Sequence, residues 1–161
     1  MSKQIRSVFS VVVGLSFVLI GSGFAQAADP WLGTWKLNVA KSKCSPGPCA
    51  RSNVSHFEAV AGGGLKVTGD AVDATGRSTH TETTTMFDGK EAEVKGAATL
   101  TTRLFSRIDD RTYEFVTRVN GKVTTTTRGT VSADGRTRTL VTTGVNTDGK
   151  PVHNEAVYER Q

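Results

Sequence analysis

Short segments in which apolar and polar residues alternate fill most of the chain after residue 60. Residues 113–119 show the pattern clearly, because Tyr113 and Phe115 share one face of an extended segment while Glu114 and Arg118 share the other. Thr117 and Val119 continue the first face, and no segment in this region places apolar residues at helical spacing. The pattern predicts β-strands with one buried face.

The segments on either side of residues 113–119 follow the same rule. In residues 100–108 the alternation predicts an inward face with Leu100, Thr102, Leu104 and Ile108, and it places Arg103 and Arg107 outside. In residues 122–131 it places Lys122 and Arg128 outside. The predicted apolar interior, diluted by threonines, is Trp35, Leu37, Leu65, Val67, Leu100, Leu104, Tyr113, Phe115, Val123 and Tyr158.

Turn-forming residues separate these segments at fairly regular intervals. Asn-Gly and Asp-Gly pairs supply the positive φ values that tight hairpins need. The longer gap between Gly89 and Asp109 predicts one more turn near residues 96–98. The other predicted turns lie at 61–64, 73–76, 87–90, 109–111, 120–121, 133–135 and 147–149.

Counting strands from Trp31 predicts an all-β domain, a single antiparallel up-and-down barrel of about 8 to 10 strands. Closing the sheet removes its two exposed edges. A barrel of the outer-membrane type needs an apolar outward face. The outward positions of this sequence carry cations instead, which excludes an outer-membrane barrel. These cations are Arg103, Arg107, Arg118, Lys122 and Arg128.

The first 27 residues have the three parts of a secretory signal. Lys3 and Arg6 precede an apolar run from Val8 to Ile20, and Ala25-Gln26-Ala27 forms a cleavage site. The run is shorter than the roughly 20 apolar residues that span a bilayer. We therefore expect cleavage after Ala27 and a periplasmic or secreted domain, residues 28–161, without a membrane span; an uncleaved anchor is the alternative.

The net charge and the two cysteines indicate which partners and which covalent bonds to expect. Removing Lys3 and Arg6 with the signal lowers the net charge from +5 to +3, which is too little to indicate nucleic-acid binding. Cys44 and Cys49 flank a Ser-Pro-Gly-Pro turn, and in an exported chain such a pair predicts a disulfide. A redox pair or half of a zinc site are the alternatives, although their usual spacings differ.

The two ends of residues 28–161 resemble a known group. Residues 31–37, WLGTWKL, and residues 157–160, VYER, are similar to the first and last strands of calycins, the group that contains lipocalins and fatty-acid-binding proteins. More closely, residues 33–48 and 149–160 resemble exported bacterial lipocalin-like proteins of uncharacterised function. The resemblance implies that Trp35 closes one end of the barrel and that Arg160 packs across its ring, a cation–π contact.

The chain departs from fatty-acid-binding proteins in two places. Residues 38–53 contain the Cys44–Cys49 turn where that family has a helical lid. Ala156 stands two residues before Tyr158, where the family has an arginine that binds the ligand carboxylate. With no inward cation expected, we predict that a neutral amphiphile binds better than the matching fatty acid.

Catalytic and metal-binding chemistry is sparse in this sequence. His80 with Glu82, and His153 with Glu155, could form a metal site only if their strands met, and solvated surface residues are the simpler interpretation. No set of catalytic residues and no cofactor motif is recognised, so an enzyme is not expected.

The function expected is binding of a small neutral apolar or amphipathic molecule inside the barrel. The alternative is a structural or interaction protein of the cell envelope whose barrel is filled. The predicted barrel lining is Trp35, Leu37, Leu104, Tyr113, Phe115 and Tyr158.

Overall fold

A computed structural model describes residues 29–161; the predicted signal and its cleavage after Ala27 lie outside the described residues. This part of the chain is all-β, with one short 3-10 helix at Val39–Lys41 and no α-helix. The strands are β1 Gly33–Leu37, β2 Lys43–Ser45, β3 Ser52–Val60, β4 Gly64–Val72, β5 Ser78–Thr85, β6 Glu91–Glu93, β7 Thr101–Asp109, β8 Thr112–Val119, β9 Lys122–Val131, β10 Thr137–Val145 and β11 Pro151–Arg160.

The strands form one antiparallel sheet in the order β5-β4-β3-β1-β11-β10-β9-β8-β7-β6. Strand β1 pairs with β11, with Trp35 opposite Arg160, so the first strand meets the last. The short β2 lies off this path and pairs with β11. Apart from β2, neighbours in the sheet are neighbours in sequence or the two chain ends, which is the predicted up-and-down arrangement.

The barrel is nearly closed where the two ends of the sheet path meet. There Glu82 of β5 pairs with Lys95, just after β6, through two backbone hydrogen bonds of 3.0 and 2.8 Å. The other seams have longer ladders, since β10 and β11 pair from Thr137 to Val145. The bridge pairs one N–H and one C=O from each of the two edge segments that it joins.

The predicted turns are confirmed along the meander. Asn120 and Gly121, with φ of 50° and 77°, join β8 to β9 as a two-residue hairpin loop with the positive angles that such loops need. The turn expected near residues 96–98 also exists, because the chain bends between β6 and β7 with Gly96 at φ 78°. Local turn chemistry therefore sets the strand boundaries.

Strand β7 faces the opposite way from the prediction. Phe105 is 7% exposed and faces inward with Arg103, whereas Leu100 and Ile108 are 62% and 50% exposed. Leu104 lies between two inward residues and consequently points outward. The reason is cross-strand packing: Phe105 is paired with Phe115 of β8, and their ring centroids are 5.2 Å apart, so the inverted facing buries an aromatic ring rather than a leucine.

Val123 is the other correction to the predicted interior. A β-bulge between Thr117 and Arg118 shifts the register, so that Val123 lies opposite Arg118 on the outer face. Val123 is 49% exposed as a result.

The core lies at one end of the barrel, which we call the closed end and which is formed by the turns at residues 61–63, 110–111 and 132–136. Trp35 is fully buried there. The Arg160 guanidinium carbon lies 4.3 Å from the centroid of the Trp35 ring. The buried cluster is Trp31, Trp35, Phe57, Leu65, Tyr113, Val131 and Tyr158.

At the opposite end, a disulfide joins Cys44 and Cys49, whose Cα atoms are 5.3 Å apart. The predicted pairing is confirmed. Because β2 pairs with β11, the disulfide loop is held against the rim of the barrel.

Candidate functional site

A cavity of about 150 Å³, the barrel cavity, lies inside the sheet. A second recess of about 360 Å³, the mouth recess, is bordered by Cys44, Cys49 and Ala50 of the disulfide loop. The barrel cavity and the mouth recess are adjacent, because five residues line both spaces. These residues are Asn53, Arg103, Phe115, Leu140 and Tyr158. A ligand reaching the barrel cavity through the mouth recess would pass these five side chains.

Arg138 of β10 projects into the wall of the barrel cavity and is 1% exposed. Its guanidinium carbon lies 4.2 Å from the ring centroid of Tyr158, 4.7 Å from that of Phe57 and 5.3 Å from that of Trp35. Its Nη2 donates a hydrogen bond of 2.8 Å to Ser55 Oγ. The aromatic rings stabilise the buried Arg138 cation, which forms no ion pair with a carboxylate in the described part of the chain.

Two nitrogens of Arg138, Nε and Nη1, are buried without a hydrogen-bond partner in the described part of the chain. A buried N–H left unpaired costs free energy, and more so when the group is charged. Burial lowers the pKa of Arg138 to about 10, so the group stays charged at neutral pH. The cavity wall therefore presents a cation with unused donors.

Arg103 of β7 is a second cation that borders the barrel cavity; it also borders the mouth recess and is partly exposed. Its guanidinium carbon lies 5.0 Å from the centroid of the Phe115 ring, and its Nε is buried without a partner. Burial lowers the pKa of Arg103. Burial likewise raises the pKa of the Tyr158 phenol, although the charges of Arg138 and Arg103 oppose that shift, so Tyr158 is a neutral neighbour of both cations.

The described cavity wall offers these cations little negative charge. Glu82 is the one acid that lines it, and its carboxylate already pairs with Lys66 at 2.8 Å. That ion pair lowers the pKa of Glu82 and raises the pKa of Lys66. Arg103 and Arg138 therefore leave an uncompensated positive potential inside the barrel.

The hydroxyl of Tyr113, at the closed end, already has a hydrogen-bond partner. The Tyr113 hydroxyl donates a 2.8 Å hydrogen bond to Asp29 Oδ2, and the Arg107 guanidinium pairs with the same oxygen. Burial, followed by the bond to Asp29, raises the pKa of Tyr113.

Trp31 packs tightly between Tyr113 and Gly129. Its ring stacks on the Tyr113 ring with centroids 4.5 Å apart. Its indole lies so close to Gly129 that a Cβ at that position would approach ring carbon Cη2 to 2.5 Å.

The predicted lining residues fall into three groups. Tyr113, Phe115 and Tyr158 border the barrel cavity, and Leu37 borders the mouth recess. Trp35 belongs to the core and is not among the residues that border either space. Leu104 points outward, so its predicted place in the lining is wrong.

The sequence reasoning missed Arg138 and misplaced Arg103. The expectation that the interior holds no cation is consequently wrong. A signal for Arg138 does exist: it alternates with Leu140 on one face of β10 and lies directly opposite Tyr158 of β11 and Val131 of β9. That facing follows from the pairing of three strands and not from the segment 137–145 alone.

The histidine pairs do not meet. His80 Nδ1 lies 2.7 Å from Asp70 Oδ1 on exposed side chains of β5 and β4, while His153 of β11 lies opposite Ser45 of β2. Within residues 29–161, no three side chains of His, Cys, Asp or Glu are grouped so as to hold a metal ion. The same part of the chain has no helix long and apolar enough to span a membrane.

Neither a family model nor a curated protein matches this sequence. Among solved structures, the chain is similar to one described as "The Siderocalin Ex-FABP functions through dual ligand specificities". The two share 16% sequence identity over 82% of this chain and 74% of that chain, with a TM-score of 0.35. That protein is a siderocalin. The strand pairing of this chain establishes, by itself, an antiparallel up-and-down barrel in which the first strand meets the last.

Proposed function

We propose that this protein is an exported binding protein that holds a small amphiphile in its barrel, with an acidic head group against Arg138. The observation that carries the proposal is the pair of buried, unpartnered nitrogens of Arg138 on the wall of the barrel cavity. An anionic oxygen supplies both the charge and the acceptors that this guanidinium lacks. The proposal replaces the neutral ligand expected from the sequence, because that expectation assumed an interior without cations.

The remaining wall suits the apolar part of such a molecule. Phe57, Phe105 and Phe115 border the barrel cavity, and Leu37 and Ala156 border the mouth recess. A ligand with its head at Arg138 would extend its chain along these surfaces toward the disulfide loop. The presence of a cavity also favours binding over the alternative of a filled barrel.

Export is the second part of the proposal. Residues 1–27 act as the cleaved signal, and residues 28–161 function in the periplasm or outside the cell. The Cys44–Cys49 disulfide supports this, since such bonds persist in oxidising compartments.

Paired titrations with octanoate and 1-octanol at pH 8, followed by tryptophan fluorescence, test the head-group assignment. We expect octanoate to bind at least about tenfold more tightly, because a charge-assisted hydrogen bond contributes about 1.5–3 kcal/mol. Arg138→Gln should abolish the preference for the acid. Arg128→Gln, on the exposed face of β9, is the matched control and should leave it unchanged. Equal binding of the acid and the alcohol would rule the proposal out.

A further inference from the structure

Two guanidinium groups border the barrel cavity, although one guanidinium is enough to bind a head group with a single negative charge. Arg103 and Arg138 both line it, and both act electrostatically on the Tyr158 hydroxyl. Arg138 reaches the cavity from β10 and Arg103 reaches it from β7, and Tyr158 is a neighbour of both cations.

No acid in the described cavity wall is free to balance this charge. Glu82 is paired with Lys66, and Asp29, which pairs with Arg107 at the closed end, is not among the lining residues. A bound anion with a single charge would offset one guanidinium and leave the other without a counter-charge. Burying a positive charge without a partner costs free energy, so an anion that pairs with both cations is favoured.

The buried hydrogen-bond donors without partners also exceed what a singly charged carboxylate can satisfy. Residues that line the cavity carry four N–H groups that are buried without a partner: Trp31 Nε1, Arg103 Nε, Arg138 Nε and Arg138 Nη1. All four can only donate. A carboxylate has two oxygens, whereas a doubly charged phosphate monoester has three terminal oxygens and can accept from more of these donors at once.

We propose that the barrel selects amphiphiles with a doubly charged head group, held between Arg103 and Arg138. The proposal rests on the proposed function and specifies its ligand class. Arg138 binds the head group at the inner wall, and Arg103 closes on it from the side of the mouth recess. The alkyl part then occupies the aromatic and aliphatic walls.

Octyl phosphate and octyl sulfate test this directly, because they share the chain and the tetrahedral head but differ in charge above the second phosphate pKa of about 6. Titrations below the micelle concentration at pH 8, read by tryptophan fluorescence and by calorimetry, should give at least about tenfold tighter binding of octyl phosphate. At pH 5 the phosphate carries one charge, so the two affinities should converge.

The sulfate also controls for titration of the protein. The titratable groups that face the cavity are Arg103, Arg138, Tyr113, Tyr158 and Glu82, and a change in any of them acts on both ligands. The ratio of the two affinities therefore reports the charge on the head group.

Arg103→Gln is the decisive variant, since Arg103 borders the mouth recess and its removal leaves the Arg138 site intact. We expect the phosphate-to-sulfate ratio at pH 8 to fall to near one, while octyl sulfate still binds. Arg128→Gln should keep the ratio. Thermal unfolding of each variant establishes that the barrel is folded before binding is compared.

The outcomes separate the two proposals. If both anions bind equally at pH 8 but better than 1-octanol, the selection for double charge is wrong and the proposed function stands. If the ratio survives in Arg103→Gln, Arg103 does not hold the head group and the inference fails. If neither anion binds better than 1-octanol, the proposed function itself fails.

Discussion

Arg160 makes more contacts at the closed end than the single cation–π pair that the sequence indicated. Its guanidinium lies over Trp35 and also donates to the backbone carbonyls of Pro30, Leu32 and Gly135. These bonds tie the segment before β1 and the turn after β9 to the last strand. We therefore propose that Trp35 and Arg160 together close the barrel.

A double-mutant cycle measures that closure. Trp35→Ala should lower the free energy of unfolding by roughly 3–5 kcal/mol, because it leaves a large cavity in the core. Arg160→Ala should cost about 2–4 kcal/mol through the lost charged hydrogen bonds. The two losses should be less than additive in urea unfolding, since each variant removes the shared contact.

Arg136→Ala serves as the control, because its exposed side chain should change stability by less than about 0.5 kcal/mol. Strictly additive losses for Trp35 and Arg160 would show that the ring and the guanidinium do not stabilise each other.

Strand β7 illustrates how an alternating segment can be assigned to the wrong face. Its two faces both carry apolar residues, Leu104 and Ile108 on one and Phe105 on the other. Burying Phe105 brings Arg103 inside, where Phe115 offsets part of the cost of enclosing its charge. The facing of β7 thus decides whether the cavity contains one cation or two.

The facing can be checked by comparing two truncations on β7. Phe105→Ala should destabilise the protein by about 3–5 kcal/mol, as expected of a buried ring. Leu104→Ala, one residue away and pointing outward, should cost less than about 1 kcal/mol. Urea unfolding of both variants measures the difference, and the reverse ranking would restore the facing expected from the sequence.

Taken whole, the molecule is a barrel closed at one end by packed aromatic rings and bordered at the other by a disulfide loop. Asp29, the first described residue, is bound by Tyr113 and Arg107 at the closed end. The predicted cleavage after Ala27 leaves Asp29 in the mature chain, whereas cleavage a few residues later would remove this contact.

N-terminal sequencing and thiol labelling of the exported protein test the processing of the chain. We expect the mature protein to begin at Ala28. Alkylation without a reductant should leave Cys44 and Cys49 unmodified, and both should react after reduction. A mature terminus beyond Asp29 would contradict the predicted site, and free thiols in oxidised material would contradict a stable disulfide.

Local chemistry was sufficient to predict much of this architecture. Gly and Asn residues with positive φ mark the turns, as Asn120 and Gly121 do, and the strands between them follow in sequence order. An up-and-down barrel adds little to that order except closure, which the resemblance of the two chain ends indicated. The Cys44–Cys49 disulfide could be predicted for the same reason, because it spans a short turn.

The interior charge could not be predicted in this way, because alternation separates two faces of a strand without saying which is buried. That choice depends on the residues across the ladder. Phe115 draws Phe105, and with it Arg103, to the inside, while Tyr158 and the aromatic rings around it accommodate Arg138. These contacts join residues far apart in sequence, and burying a cation is tolerable only once those rings are assembled around it.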